Sequence, residues 1–181
     1  MKGLVWVTLA LILSGCESVS QFLPPSAQVN PRSSSPPTPR ATPQSPTTAQ
    51  MEAQVRQRVN EIRQKQGLSQ LRHNEKLAQV ARNYSQQMAQ KNFFSHTSPE
   101  GSTMVQRVKS AGIFYFMVGE NLYMCTNMPQ PVPSAVRGWM NSPGHRENML
   151  RPEYRETGIG VWRTGNSYYF TQLFMRSFSL D

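Results

Sequence analysis

The chain has 181 residues, a formal net charge of +9 and an apolar fraction of 38%. This length allows one domain of ordinary size with appendages. The apolar fraction is low for a wholly globular chain, so part of the sequence is expected to lie outside the folded core.

The first sixteen residues predict export and lipidation. Lys2 precedes an apolar stretch, residues 4–13, that is too short to span a bilayer, which needs ~20 residues. The order Leu13-Ser14-Gly15-Cys16 then resembles a bacterial lipobox. We therefore predict that residues 1–15 are a cleaved lipoprotein signal peptide and that Cys16 is lipidated. The protein would be held at a membrane by this lipid anchor, facing the periplasm or the cell surface. An ordinary signal peptide with an incidental cysteine is the alternative.

The residues that follow differ in composition from the rest of the chain. Eight of the 14 prolines lie between Pro24 and Pro46, and serine, threonine and glutamine fill most of the remainder. Such a segment buries too little apolar surface to offset the entropy of ordering it. We predict that residues 16–50 are the lipidated cysteine and a disordered tether, and that residues 51–181 are one globular domain.

The predicted domain begins with two amphipathic helices. In the first helix, apolar residues recur at helical spacing before a stop at Gly67: Met51, Val55, Val59 and Ile62. Asn74 is a suitable N-cap for the second helix. The apolar stripe of that helix is Leu77, Ala81, Tyr84 and Met88.

Three shorter helices and a hairpin complete the predicted domain. Ser102 or Thr103 caps a helix that ends at Gly112 and points Met104, Val108 and Ala111 inward. Ser134–Met140 is a further helix, and Ser142-Pro143 begins the last one. Two β runs, about Thr157–Trp162 and Tyr168–Phe174, flank a turn at residues 164–166 and predict a C-terminal antiparallel hairpin. Helices followed by a hairpin indicate an α+β fold.

The basic charge balance points to anionic partners. For an exported chain, phospholipid head groups and cell-wall polymers suit this charge better than nucleic acid, which is not expected as a partner. Because the charges are scattered, solubility alone is an equally good interpretation. The chain has two cysteines, Cys16 and Cys125, and they cannot form an internal disulfide if Cys16 is lipidated. We also expect the protein to be a monomer.

Three side chains are candidates for a functional site. His96 lies in a polar loop, Glu120 follows an apolar run, and His145 lies in the first turn of the helix that begins at Ser142. A buried carboxylate needs a partner, which a histidine supplies. Two imidazoles and a carboxylate also suit a divalent metal such as zinc, with one coordination position open. Hydrogen bonds that merely fix loops are the equally weighted alternative. The third histidine, His73, is interpreted as solvated.

Five motifs, in this order and spacing, resemble the bacterial branch of the CAP superfamily (cysteine-rich secretory, antigen 5, pathogenesis-related), also called SCP-like. They are Phe-Ser-His-Thr-Ser-Pro-Glu-Gly (94–101), Gly-Glu-Asn (119–121), Trp-Met-Asn-Ser-Pro-Gly-His-Arg-Glu-Asn-Met-Leu (139–150), Thr-Gly-Ile-Gly-Val (157–161) and Tyr-Tyr-Phe-Thr-Gln-Leu-Phe (168–174). The resemblance covers about residues 51–178 and implies a three-layer α-β-α sandwich.

The resemblance also implies a cleft of two histidines and two glutamates, which binds divalent metals in some members. His96 and Glu120 match two of these positions, while Ser142 and Tyr169 stand at the other two. His145 belongs to the bacterial motif and fills part of the gap. The predicted cleft is therefore His96, Glu120, His145 and Tyr169, with His96, His145 and Glu120 as the metal ligands. Metal binding is expected to be weaker than in relatives that keep all four positions.

Three functions are compatible with these residues. The first is a non-catalytic module that binds lipid or cell-wall ligands, because members of the family have varied roles that include binding of lipids or sterols. The second is a hydrolase of esters or peptides in which His96, Glu120 and His145 activate water, with or without a metal. The third is a structural envelope protein. The sequence lacks a Gly-x-Ser-x-Gly nucleophile motif, so the binding module is favoured and no catalytic residue is assigned to it.

Overall fold

The computed structural model describes residues 47–178. The predicted signal peptide, Cys16 and most of the predicted tether lie outside the described residues. Residues 48–50, predicted as the end of the tether, form the start of the first helix. Thr47 caps this helix through a capping box with Gln50, a local signal that the sequence interpretation did not use.

Within the described residues, five helices and four strands follow one another. The helices are α1 (Thr48–Lys65), α2 (Glu75–Gln90), α3 (Met104–Ser110), α4 (Pro131–Asn141) and α5 (Pro143–Leu150). The strands are β1 (Arg72–His73), β2 (Met117–Thr126), β3 (Glu156–Thr164) and β4 (Ser167–Arg176). Among residues 47–178, no helix has the length and apolar character that a membrane span requires.

The four strands form one sheet in the order β1-β3-β4-β2. β1 runs parallel to β3, and the other neighbouring pairs are antiparallel. Helices α1, α4 and α5 cover one face, while α2 and α3 cover the other. The α+β class, the three-layer α-β-α sandwich and the C-terminal hairpin of β3 and β4 are confirmed. The sequence analysis predicted neither β1 nor β2 as a strand.

The helix termini follow the local signals only in part, and α4 begins at Pro131 where the sequence predicted a start at Ser134. Asn74 caps α2 by accepting a hydrogen bond from the Leu77 N–H at 3.0 Å, and Thr103 caps α3. Ser142 occupies the N-cap position of α5, but its side chain makes no capping hydrogen bond. Ala111 is exposed rather than inward, because α3 ends at Ser110 and the helical spacing does not reach it.

Two glycines of β3 set the distance between the sheet and α2. A Cβ atom on Gly158 would lie 2.2 Å from the backbone nitrogen of Ala78, and one on Gly160 would lie 2.1 Å from that of Arg82. Side chains at these positions would push α2 off the sheet. Glycine therefore allows the close packing that positions Tyr84, which lies on α2 beneath the candidate site.

A buried arginine joins α1 to the segment that follows α5. Arg63 is fully buried and faces four backbone carbonyl groups, those of Ser69, Met149, Arg151 and Tyr154. Burial lowers the pKa of the Arg63 guanidinium, and these acceptors satisfy its donors. This contact fixes the C-terminal end of α5, the helix that carries His145.

Candidate functional site

Glu120 is a buried carboxylate on β2. It lies opposite Leu173 of β4, on the sheet face that α2 and α3 cover, and its side chain is only 3% exposed. One oxygen, Oε1, lies 2.9 Å from Nδ1 of His96. Because an ionised carboxylate only accepts hydrogen bonds, Nδ1 is the donor and Nε2 of His96 remains available. The expectation that a histidine partners this carboxylate agrees with the geometry.

The second partner of Glu120 is Arg107, which the sequence analysis missed. Nη2 of Arg107 lies 2.7 Å from Oε2 of Glu120. Nη1 donates to the carbonyl oxygens of His96 and Ser102, and the guanidinium carbon lies 3.3 Å from the centroid of the Tyr84 ring. Arg107 follows Met104 by three positions on α3 and precedes the buried Val108. This position on a half-buried helix face was the signal in the sequence that could have indicated a role for Arg107 in the site.

The loop between α2 and α3 holds His96 in place by its backbone. The Tyr84 hydroxyl donates to the Ser95 carbonyl at 2.6 Å, and the Ser98 N–H donates to the Ser102 carbonyl at 3.0 Å. The His96 side chain itself is 56% exposed. The ring is therefore oriented by Glu120 while one edge remains open to a ligand.

His145 lies close to His96 across the sheet edge. The two ring centroids are 6.2 Å apart, and the ring planes differ by 41°. The buried Asn121 donates to the carbonyl oxygen of His145 at 3.0 Å. Asn148 donates to both Asn121 and the Glu120 carbonyl, so α5 and β2 are joined at this point. Asn121 thus supports the site, whereas Arg146 is exposed.

The environment of His145 favours its neutral form. Burial lowers the pKa of the His145 imidazole, and the neighbouring His96 adds to this effect. The position in the first turn of α5 acts in the same direction, because the positive end of a helix disfavours an imidazolium. A neutral ring at neutral pH offers a lone pair to a ligand.

A cavity of about 400 Å³ adjoins His96 and Glu120. Its other lining residues are Thr97, Thr103, Met104, Val105, Gly119 and Asn148. We call this cavity the His96 cleft. A Cβ atom on Gly119 would lie 2.3 Å from the Tyr154 hydroxyl and 2.8 Å from Asn148 Oδ1, which gives a steric reason for the glycine before Glu120.

Tyr169 lies further along the sheet. It pairs with Met124 of β2, four positions from Glu120, and packs in a buried cluster with Tyr84, Met88 and Leu122. Strand geometry places it about 13 Å from Glu120, at ~3.3 Å per residue. The residues that line the His96 cleft do not include it. A binding role for Tyr169 stays a prediction.

The described residues do not assemble the predicted three-ligand metal site. Within residues 47–178, no group of three or more His, Cys, Asp or Glu side chains is arranged to hold a metal ion. Glu120 directs one oxygen to Arg107 and the other to His96, so it acts as an acceptor that orients the imidazole. The two imidazoles are nevertheless close enough for both to approach one ion, since zinc–nitrogen bonds are ~2 Å long.

Comparison with known proteins agrees with the five motifs. The model of the cysteine-rich secretory protein family, CAP, matches residues 56–174. The protein YkwD of Bacillus subtilis is 37% identical over 124 residues, which are 68% of this chain and 46% of that protein. The membrane protein YlbC of Bacillus subtilis is 35% identical over 126 residues, 69% of this chain and 34% of that protein.

A similar fold has been solved for an extracellular protein from Bacillus anthracis that contains an SCP domain. The TM-score is 0.65 at 30% identity, over 76% of this chain and 45% of that one. The chain spans less than half the length of each of these relatives.

Proposed function

Because the chain belongs to the cysteine-rich secretory protein (CAP) family, we propose that its domain is a non-catalytic binding module presented at the cell envelope. The relatives include an extracellular protein and a membrane protein, which supports export. The observation that carries the proposal is the buried ion pair between Arg107 and Glu120, which occupies the carboxylate oxygen that His96 does not contact.

The surroundings of Glu120 argue against a role as general base. A general base must lie within hydrogen-bond reach of the proton that it removes. Glu120 is buried, and the guanidinium of Arg107 balances its charge. Among the described contacts, no hydroxyl or thiol is hydrogen-bonded to the His96 ring, so these contacts offer no side-chain nucleophile.

The lining of the His96 cleft suits a ligand with both apolar and polar parts. Met104 and Val105 offer apolar surface, whereas Thr97, Thr103 and the free Nε2 of His96 offer hydrogen-bonding groups. Lipids and cell-wall fragments combine these features. This lining supports the proposal of a lipid or cell-wall ligand.

Zinc is a suitable probe of the two imidazoles. We expect weak zinc binding by isothermal titration, because the ring centroids of His96 and His145 lie 6.2 Å apart. His96→Ala and His145→Ala should each abolish the binding. Acid should also release the ion, since protonation removes the lone pairs.

His73→Ala is the matched control for this titration. His73 lies on β1 and bonds to Glu75, so its replacement should leave zinc binding unchanged. If the wild type and all three variants bind zinc equally, His96 and His145 do not bind the ion together. The proposal would then depend on organic ligands alone.

The hydrolase is the second candidate, favoured by the His96–Glu120 hydrogen bond, which resembles the orienting half of a catalytic triad. Ester or peptide hydrolysis that is lost in His96→Ala and retained in His73→Ala would support it. The same activity in every variant would indicate a contaminating enzyme.

We also propose that the domain is anchored through a lipid on Cys16. Cys16→Ser is expected to release the protein from the membrane fraction or to block its processing, because the thiol accepts the lipid. The measurement is incorporation of labelled fatty acid together with membrane fractionation. Cys125→Ser is the matched control, since Cys125 is a buried free thiol within the domain. Label that persists on Cys16→Ser would contradict the anchor.

A further inference from the structure

Three phenylalanine side chains protrude near one another at one end of the sheet. Phe114 is 83% exposed, Phe116 66% and Phe178 65%. Phe114 and Phe178 line a cavity of about 400 Å³ together with Tyr115, Lys109 and Ile113, and the Phe116 ring contacts that of Phe178. We call Phe114, Tyr115, Phe116 and Phe178 the aromatic patch. A cluster of exposed large apolar groups usually marks an interaction surface.

The aromatic patch is held by the ends of two paired strands. The Phe116 N–H donates to the Arg176 carbonyl at 2.8 Å, immediately before β2 begins. The Phe116 and Phe178 rings meet edge to face, with centroids 6.1 Å apart. The Ile113 N–H bonds to the Val108 carbonyl of α3 at 3.3 Å. The rings therefore project from a fixed backbone.

Basic side chains border the aromatic patch. Lys109 lines its cavity, and the guanidinium carbon of Arg176 lies 6.0 Å from the Phe116 ring centroid. Residues 101–119 contain no Asp or Glu. Glu156 bonds to Ser177, but it also faces Arg72 at 3.5 Å, which offsets its charge. Among the described residues, the patch thus combines protruding rings with uncompensated positive charge.

We propose that the aromatic patch docks the domain onto a bilayer that contains anionic phospholipids. Aromatic rings prefer the boundary between head groups and acyl chains, and lysine and arginine beside them attract anionic head groups. Protruding rings suit insertion into a soft interface. The excess of basic over acidic residues in the chain acts in the same direction.

The docking surface is separate from the His96 cleft, although α3 connects the two. Met104 and Val105, at the start of α3, line the cleft, whereas Lys109, near its end, lines the aromatic patch. This inference does not depend on the lipid anchor or on the ligand of the cleft.

The test places a tryptophan in the aromatic patch of the full chain. Phe114→Trp is mixed with vesicles that carry brominated acyl chains, and the emission of the unsubstituted protein is subtracted. The introduced tryptophan should shift to the blue and lose most of its emission on vesicles of phosphatidylcholine with phosphatidylglycerol. Lys109→Ser combined with Arg176→Ser, or high salt, should largely remove the quenching.

Phe94→Trp is the matched control, because Phe94 is a half-exposed ring in the loop that carries His96. Its emission should be unaffected even if the N-terminal residues hold the chain on the vesicles. Equal quenching at positions 94 and 114, or equal quenching with and without phosphatidylglycerol, would overturn the proposal. A dimer that sedimentation detects without vesicles, and that Phe114→Ser dissociates, would assign the patch to a second copy instead.

Discussion

Replacement of Arg107 by alanine is expected to lower the free energy of unfolding by about 3–5 kcal/mol, the usual cost of leaving one member of a buried ion pair unpaired. The Arg107 side chain is 10% exposed and that of Glu120 is 3% exposed, so water replaces the lost partner poorly. The variant also loses two hydrogen bonds to loop carbonyls and the contact with the Tyr84 ring. Urea unfolding of the full chain measures the loss.

Two further variants separate the ion pair from the general effect of losing an arginine. Arg146→Ala should change stability little, because Arg146 is exposed on α5. Glu120→Gln in the Arg107→Ala background should recover part of the loss, since an amide is less costly to bury than an unpaired carboxylate. If Arg107→Ala lowers the free energy of unfolding by less than about 1 kcal/mol, the level of a surface ion pair, the result would contradict a stabilising buried pair between Arg107 and Glu120.

Gly160→Ala is expected to destabilise the domain by about 3 kcal/mol or more, at the upper end of the cost of overpacking. The added Cβ would lie 2.1 Å from the Arg82 nitrogen and 2.2 Å from the Ala81 carbonyl carbon. Both atoms belong to the backbone of α2, so no side-chain rotation relieves the contact. Calorimetric melting temperature and urea unfolding both report this change.

Gly144→Ala is the matched control for this substitution. Gly144 lies in α5, and a Cβ atom there would meet nothing within 4 Å. Alanine should be neutral or slightly stabilising at this position, because it has the higher helix propensity. Similar effects of the two substitutions would show that close packing of α2 on β3 does not explain the glycine at 160.

The sequence predicted the helices better than the strands, for a physical reason. Helices α1 and α2 bury one face each, so their apolar residues recur at helical spacing. β2 is covered on both faces, and residues 119–122 are all buried. It therefore shows no alternation of apolar and polar residues, and Glu120 and Asn121 interrupt its apolar run. β1 has two residues, too few for any pattern.

The candidate site was predictable only in part. The family motifs pointed to His96 and Glu120, and the two residues are in contact. They gave no indication of Arg107, because an arginine on a short helix ordinarily faces solvent and only the tertiary fold brings it to Glu120. The same pairing explains why Glu120 orients an imidazole and why, among residues 47–178, it belongs to no three-ligand metal site.

The central claim is that Glu120 orients the ring of His96. The tautomer of His96 tests this claim most directly. A long-range proton–nitrogen correlation spectrum of the histidine rings at neutral pH distinguishes the two ring nitrogens. We predict that the neutral form of the His96 ring carries its proton on Nδ1, bonded to Glu120, so that the lone pair on Nε2 is available to a ligand. Glu120→Gln should weaken this preference, while the rings of the His73→Ala control should be unchanged. A neutral His96 ring with its proton on Nε2 alone in the unsubstituted protein would contradict the account, because Nδ1 could then not donate to Glu120.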